Sequence, residues 1–279
     1  MITIPKFPLG EGIEYGINYL TDNFAFITKA VSAVVETGIE GLNQGLMYIS
    51  SFSPLILIAV ITVVAWLVST RRIAIGSFLG LLFIWNLGLW EATVSTFSLV
   101  LISTLISVMM GLPLGILAAF YERFYKVVMP VLDFMQTMPA FVYLIPAIPF
   151  FGLGPVSAVF TTVIFSMPPA IRLTCLGIRQ VPFDLIEAAD AFGASRMQKL
   201  YKIQLPVATP TIMAGVNQTI MLALSMVVIA AMIGAGGLGG EVWRAIQRLK
   251  PGMGFEAGIA VVIMAIILDR ITQNIKSKQ

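Results

Sequence analysis

The sequence predicts an all-α, polytopic membrane protein with about seven membrane-spanning helices, and three observations lead to this fold class. Of its 279 residues, 58% are hydrophobic and only 11% are charged, whereas soluble domains carry about 25% charged residues. The mean hydropathy of +0.94 indicates more apolar residues than one globular core can bury. Apolar runs near the length of a spanning helix, about 20 residues, recur from residue 52 onward.

Two scarce residue types exclude several classes of chemistry. The chain contains no histidine, which removes histidine-based catalytic triads and histidine proton relays. Its one cysteine, Cys175, excludes an intramolecular disulfide and a thiolate metal cluster. The N-terminus lacks a basic segment followed by an apolar run, so we expect no cleaved signal peptide.

The first fifty residues are predicted to form one or two amphipathic helices on the extracytoplasmic side, before the membrane domain of residues 51–279. Apolar residues recur there at steps of three and four, from Ile13 to Leu46. Five acidic residues against Lys6 and Lys29 leave a charge of −3, whereas helices held by anionic lipid are basic. Two placements stay open: on the outer membrane face, or against the first spans.

The seven predicted spans and their orientation follow from hydropathy and from the distribution of lysine and arginine. With the N-terminus outside and the C-terminus inside, twelve of the 17 basic residues fall in cytoplasmic loops and in the tail. The outer loop at 237–254 departs from this rule; either it meets a partner, or Glu241 and lipid headgroups satisfy its charges. The spans are residues 52–70, 73–90, 94–120, 127–151 (broken by Pro139, Pro146 and Pro149), 155–171, 208–235 and 255–272.

A polar block at about 182–206 interrupts the apolar pattern, and its spacing predicts two short helices joined by a glycine elbow. Asp184 with Glu187, and Ser195 with Gln198, have capping-box spacing. Gly193 stands where a left-handed residue ends a helix, and Pro206 is expected to end the second helix. Helices this short need a packing partner. The block is therefore either a docking element or an ordinary helical loop.

The spacing Glu-Ala-Ala, three residues, Gly, nine residues, Ile-x-Leu-Pro resembles the EAA loop of binding-protein-dependent ABC importer permeases. In that family the loop seats in a groove of the ATPase subunit and transmits its movement to the spans. The resemblance implies a type I ABC importer permease fold in a bacterial cell membrane. The matching positions are Glu187, Ala188, Ala189, Gly193, Ile203, Leu205 and Pro206.

Four further stretches are similar to permeases of glycine betaine and proline betaine importers, which are osmoprotectant transport systems. They are "QTMPAFVYLIPAIPFFGLGP", "FSMPPAIRLT", "QVPFDLIEAADAFGAS" and "AAMIGAGGLGGEVWRAIQ". The resemblance covers roughly residues 50–272. It implies a transport subunit, not an enzyme, that imports glycine betaine or a related compatible solute.

The resemblance also implies the partners. The chain has no GxxxxGK[ST] motif, so we expect no cofactor of its own, and ATP and Mg²⁺ in a separate ATPase subunit. Two copies of the permease, each with one ATPase, and a separate extracytoplasmic substrate-binding protein are expected. Membrane lipid is the remaining partner, and no nucleic acid is expected.

A translocation path for a betaine is expected near the proline-broken span. Quaternary ammonium groups bind aromatic faces, and Phe134, Phe141 and Tyr143 lie there; the alternative is that they only pack. Asp133 is a further candidate for this path, since carboxylates near a span face a cavity or a partner. Alternatively, Asp133 reaches water or pairs with Arg123 or Lys126.

Rival functions remain at this point. One is an ABC permease for choline, carnitine or an amino acid. Others are an ATP-independent transporter, which should carry buried coupling charges or inverted repeats, and a membrane scaffold without transport.

Overall fold

The computed structural model describes residues 9–274, which fold almost wholly into helices with no strand in that range. The fold therefore agrees with the all-α class that the hydropathy predicts. The α-helices in chain order are α1 (Leu9–Asn23), α2 (Ala25–Phe52), α3 (Pro54–Val68), α4 (Arg71–Asn86), α5 (Trp90–Phe120), α6 (Glu122–Thr137), α7 (Leu144–Phe151), α8 (Pro155–Arg179), α9 (Phe183–Ala191), α10 (Arg196–Lys199), α11 (Leu205–Ala230), α12 (Gly237–Gln247) and α13 (Pro251–Asn274).

Helix α8 lies between α5 and α11, and these three helices form the centre of the bundle. Glycines let their backbones approach closely. A Cβ atom added to Gly115 of α5 would stand 2.7 Å from the carbonyl oxygen of Ile171 in α8. A Cβ on Gly215 of α11 would stand 3.1 Å from the carbonyl oxygen of Pro169. Small residues at such crossings favour dispersion contact between helices in lipid, where the hydrophobic effect contributes little.

The N-terminal segment is helical, as its periodicity predicts, and α2 packs against the bundle. Ile39 of α2 is buried in the main apolar core. The indole nitrogen of Trp90, at the start of α5, donates a hydrogen bond to the hydroxyl of Ser50. Residues 1–8 of the predicted segment lie outside the described residues. The packing favours placement against the spans; the side of the membrane stays a prediction.

Four helical stretches are long and apolar enough to cross a membrane by themselves: α5, α8, α10 with α11, and α13. Two further spans are possible if each of two bent helix pairs is counted as one span. These pairs are α2 with α3, bent by 112°, and α6 with the helices after it, bent by 110°. Among the described residues the total thus reaches six at most. The predicted span 73–90 accounts for the difference, because α4 has 16 residues and spans only about 24 Å.

The predicted span 127–151 is not one continuous helix. The break comes at Met138 and Pro139, where the backbone is extended between α6 and the 3₁₀ turn Ala140–Tyr143. The prediction that Pro146 and Pro149 also break the helix is wrong, because both lie within α7. Pro146 falls in the first helical turn, where its missing N–H has no intrahelical acceptor. Pro149 is followed by only two more helical residues.

The segment 237–254, predicted to be a loop, instead contains helix α12, which packs on α13 and α5. Gly239 explains its close approach to α11: a Cβ there would lie 2.4 Å from the carbonyl oxygen of Val227. Arg244 pairs with Glu241 at 3.1 Å, so part of the local charge is satisfied within the chain.

Candidate functional site: the arm between α8 and α11

The polar block forms a two-legged arm, residues 182–206, that joins the end of α8 to the start of α11. Its first leg is α9, whose N-cap residue is Pro182, with no side-chain cap. The predicted capping box between Asp184 and Glu187 is therefore wrong. Asp184 lies inside the first turn, where its charge favours the helix N-terminus, and Glu187 stays exposed with its carboxylate available to a partner.

The elbow of the arm has the predicted left-handed glycine. Gly193 has φ +71°, and two hydrogen bonds close the end of α9. The amide of Ala194 donates to the carbonyl of Ala189 at 2.9 Å, and the amide of Gly193 to that of Asp190 at 2.9 Å. This pair of bonds is a Schellman motif. A Cβ on Gly193 would meet nothing within 4 Å, so backbone conformation alone requires glycine here.

The second leg begins with the predicted capping box. The amide of Ser195 donates to Oε1 of Gln198 at 2.7 Å, and the amide of Gln198 to Oγ of Ser195 at 3.4 Å. The prediction that Pro206 ends this leg is wrong, because α10 continues through one π-helical turn, Leu200–Gln204, into α11. The wider π turn accommodates a proline that lacks an N–H and would crowd the preceding turn. The leg is thus a rigid extension of α11.

Both legs are anchored to each other and to the bundle. Lys199 of the second leg pairs with Asp190 of the first across the elbow, at 2.5 Å. Leu200 is buried in a cluster with Ile178 of α8 and Ala208 of α11. The elbow is therefore attached to both α8 and α11.

The outward side of the arm combines apolar and charged side chains. Phe192 beside the elbow is 92% exposed, and Phe183 and Tyr201 are also exposed. Exposed aromatic side chains on a polar segment are typical of a protein-docking surface. Phe192 was missed as a candidate; its signal is a large apolar residue next to the elbow glycine.

The matched motif residues divide between this surface and the packed side. Ala188, like Glu187, is exposed, whereas Ala189 is buried; Ile203 and Leu205 are half-buried, and Pro206 is exposed. Formal charge also divides between the legs. The first leg carries Asp184, Glu187 and Asp190, and the second carries Arg196, Lys199 and Lys202.

The four candidates for a translocation path have different surroundings. Asp133 pairs with Arg172 of α8, so the expected partners Arg123 and Lys126 are wrong. Tyr143 is buried, its hydroxyl donates to the carbonyl of Met135, and its ring contacts Phe165.

Phe134 and Phe141 are both exposed. Among the described residues, no aromatic ring contact joins any two of Phe134, Phe141 and Tyr143. No group of three or more His, Cys, Asp or Glu side chains in residues 9–274 could hold a metal ion.

Comparison with known proteins identifies the class. Residues 111–278 match the family described as binding-protein-dependent transport system inner membrane component, and the chain belongs to this family. It is a multi-pass membrane permease subunit of an ABC transporter, a transport protein rather than an enzyme.

The chain is similar along its whole length to permeases of known systems. It is 51% identical to the glycine betaine transport system permease protein OpuAB of Bacillus subtilis, over 100% of this chain and 98% of OpuAB. It is 48% identical to the glycine betaine/carnitine transport permease protein GbuB of Listeria monocytogenes, over 100% and 99%. It is 47% identical to the glycine betaine/proline betaine permease ProW of Escherichia coli, over 96% of this chain and 75% of ProW. The predicted resemblance to this group is confirmed.

The fold is also that of a solved transporter. A structure of the MetNI methionine ABC transporter in an inward-facing conformation superposes with a TM-score of 0.59 at 22% identity, covering 65% of this chain and 93% of the MetNI chain. The predicted type I ABC permease fold is confirmed.

Proposed function

We propose that this chain is the permease of an ATP-driven importer of glycine betaine or a related compatible solute, and that its arm is the docking site for the ATPase. The observation that carries the substrate class is identity of 47–51% to three glycine betaine permeases along nearly the whole chain. Identity this high extends beyond the arm to the spans that would form the path.

The arm has the properties that coupling requires. Its second leg is continuous with α11, and its first leg follows α8 after three residues. Glu187 and Ala188 face outward beside Phe192, so a groove of the ATPase could receive a carboxylate, a flat apolar patch and an aromatic ring together. Closing and opening of the ATPases would then rock the bundle between its inward- and outward-open states.

The arm lies on the cytoplasmic side in this proposal, with the N-terminus outside and the C-terminus inside. The basic residues Arg196, Lys199 and Lys202 of the arm and the pair Arg71 and Arg72 support this orientation, because lysine and arginine concentrate in cytoplasmic loops. Residues 1–50 are then an extracytoplasmic segment that precedes the membrane domain of residues 51–279, and within it α2 packs on the bundle.

The assembly contains two copies of the permease and two ATPase subunits, which bind the ATP and Mg²⁺. An extracytoplasmic binding protein delivers the solute to the outer face. The exposed rings of Phe134 and Phe141 could supply aromatic faces to a quaternary ammonium group along the path. Tyr143 and Asp133 support the helices that carry these rings, through their bonds to Met135 and Arg172.

Reconstitution tests this proposal. Vesicles containing the permease, the ATPase that co-purifies with it and its binding protein should take up labelled glycine betaine only with internal ATP. Excess unlabelled glycine betaine or proline betaine should compete, whereas choline should not. Since GbuB is a glycine betaine/carnitine permease, competition by carnitine measures how broad the selectivity is. Uptake by vesicles that lack the ATPase would contradict the proposal, and so would the failure of complete vesicles to take up any betaine.

A further inference from the structure

Helix α6 is attached to α8 by two ion pairs, whose members share one face of each helix. Asp133 pairs with Arg172, and Glu122 pairs with Arg179 at 2.9 Å. The arginines are seven residues apart on α8 and the carboxylates eleven apart on α6. At about 100° per residue, each interval returns to the same helix face within roughly 20°. One face of α6 therefore meets one face of α8, antiparallel; we call these four residues the α6–α8 clasp.

Arg179 makes more contacts than an ordinary surface arginine. Its guanidinium also donates to the carbonyl of Ala118, near the end of α5, at 3.0 Å. It lies over the ring of Tyr125 with 3.9 Å from its carbon to the ring centroid, a cation–π geometry. Arg179 is the last residue of α8 and stands three residues before Pro182 of the arm. The clasp thus joins α5, α6 and α8 where the arm begins.

Helix α6 contributes less to the buried core than α5 and α8 do. Leu132 is its only fully buried residue, so apolar packing holds α6 less firmly than it holds α5 and α8. The paired carboxylates of Asp133 and Glu122 have side chains 66% and 60% exposed, and ion pairs this exposed add little to folding stability. The clasp is accordingly suited to orienting α6 and contributes little to its stability.

The far end of α6 leads directly into the bend of 110° before α7. Tyr143, after this bend, bonds back to Met135 of α6. Helix α7 packs on the N-terminal half of α8, where the Phe151 and Phe160 rings lie 4.5 Å apart. Both halves of the broken segment therefore contact α8, and only the α6 half is held by charge.

We propose that Arg172 and Arg179 are positioning residues for transport: through Asp133 and Glu122 they make α6, with its bend, follow the displacement of α8 that the arm imposes. This inference rests on the proposed docking of the ATPase to the arm. In this proposal α6 lines the translocation path and moves together with α8.

The test uses the complete complex in vesicles, with ATP hydrolysis and glycine betaine uptake measured together. Asp133→Asn and Glu122→Gln keep the size of each side chain and remove the charge. We expect both variants to bind the ATPase and hydrolyse ATP, while uptake per ATP falls about two- to fivefold, the range that exposed ion pairs can supply. Arg123→Gln is the matched control, because Arg123 follows Glu122 on α6 and forms no ion pair with a described residue. Its uptake per ATP should not change.

Exchanging the charges separates positioning from general stability. The Asp133→Arg, Arg172→Asp double variant should recover uptake per ATP to within about twofold of the parent chain, whereas either single reversal should not. Normal coupling in the neutral variants, an equal loss in Arg123→Gln, or no recovery in the exchange would each overturn the clasp. Absence of ATP-driven uptake in the parent complex would overturn the proposed function instead.

Discussion

Replacing Gly193 with valine tests whether the shape of the elbow couples the arm to transport. Gly193 has φ +71°, a conformation that costs an ordinary L-residue about 1–2 kcal/mol and a β-branched residue more. A Cβ there meets nothing within 4 Å, so the effect comes from the backbone alone. The strained elbow should lower the ratio of correctly bent arms to arms in other conformations about 5- to 30-fold.

The matched variant is Gly193→Asn, since asparagine tolerates the left-handed region better than other non-glycine residues. Both variants are measured in vesicles for ATPase binding, ATP hydrolysis and glycine betaine uptake. We expect Gly193→Val to lose affinity for the ATPase and most ATP-driven uptake, and Gly193→Asn to lose much less. Equal and undiminished uptake in both variants would refute the reasoning, because a relaxed elbow would then couple as well as a bent one.

Three further changes probe the arm and the bundle. Glu187→Lys reverses an exposed charge and should reduce co-purification of the ATPase; undiminished recovery would reject the docking role of this carboxylate. Ser195→Ala removes the cap of the second leg and should destabilise it by about 1 kcal/mol, seen as faster proteolysis within the arm; unchanged cleavage would contradict this. Gly115→Ala should lower the melting temperature, because its Cβ meets the carbonyl of Ile171 at 2.7 Å and overpacking costs about 1–3 kcal/mol. Gly76→Ala is its control, because a Cβ at Gly76 meets nothing within 4 Å, and this variant should not lower the melting temperature.

Local turn chemistry explains what could be predicted in the arm. The left-handed Gly193 and the capping box of Ser195 and Gln198 depend on neighbouring residues only, and both are present. The capping box of Asp184 failed because Pro182 occupies the N-cap position two residues earlier. The prediction that Pro206 ends the helix was wrong because a π-helical turn before it lets the helix continue. The spacing of residues does not show whether a helix can widen into such a turn.

Contacts between residues distant in the chain could not be predicted from the sequence pattern. The prolines after α6 predict a break, but its angle of 110° depends on how α7 packs against α8. Asp133 has basic residues nearer in the chain, yet its partner is Arg172, 39 positions away. The glycines of segment 237–254 indicate a loop, whereas Gly239 serves close packing of α12 on α11. Such pairings are determined by the assembled bundle.

The arm's contact with the ATPase is the central claim, and site-specific cross-linking measures it most directly. Phe192, 92% exposed at the elbow, and Tyr15, 75% exposed on α1, are each replaced by a photoreactive phenylalanine derivative in the intact, active complex. We expect the reagent at Phe192 to capture the ATPase and the reagent at Tyr15 not to capture it. Capture of the ATPase from Tyr15, or none from Phe192 while uptake is normal, would contradict the account.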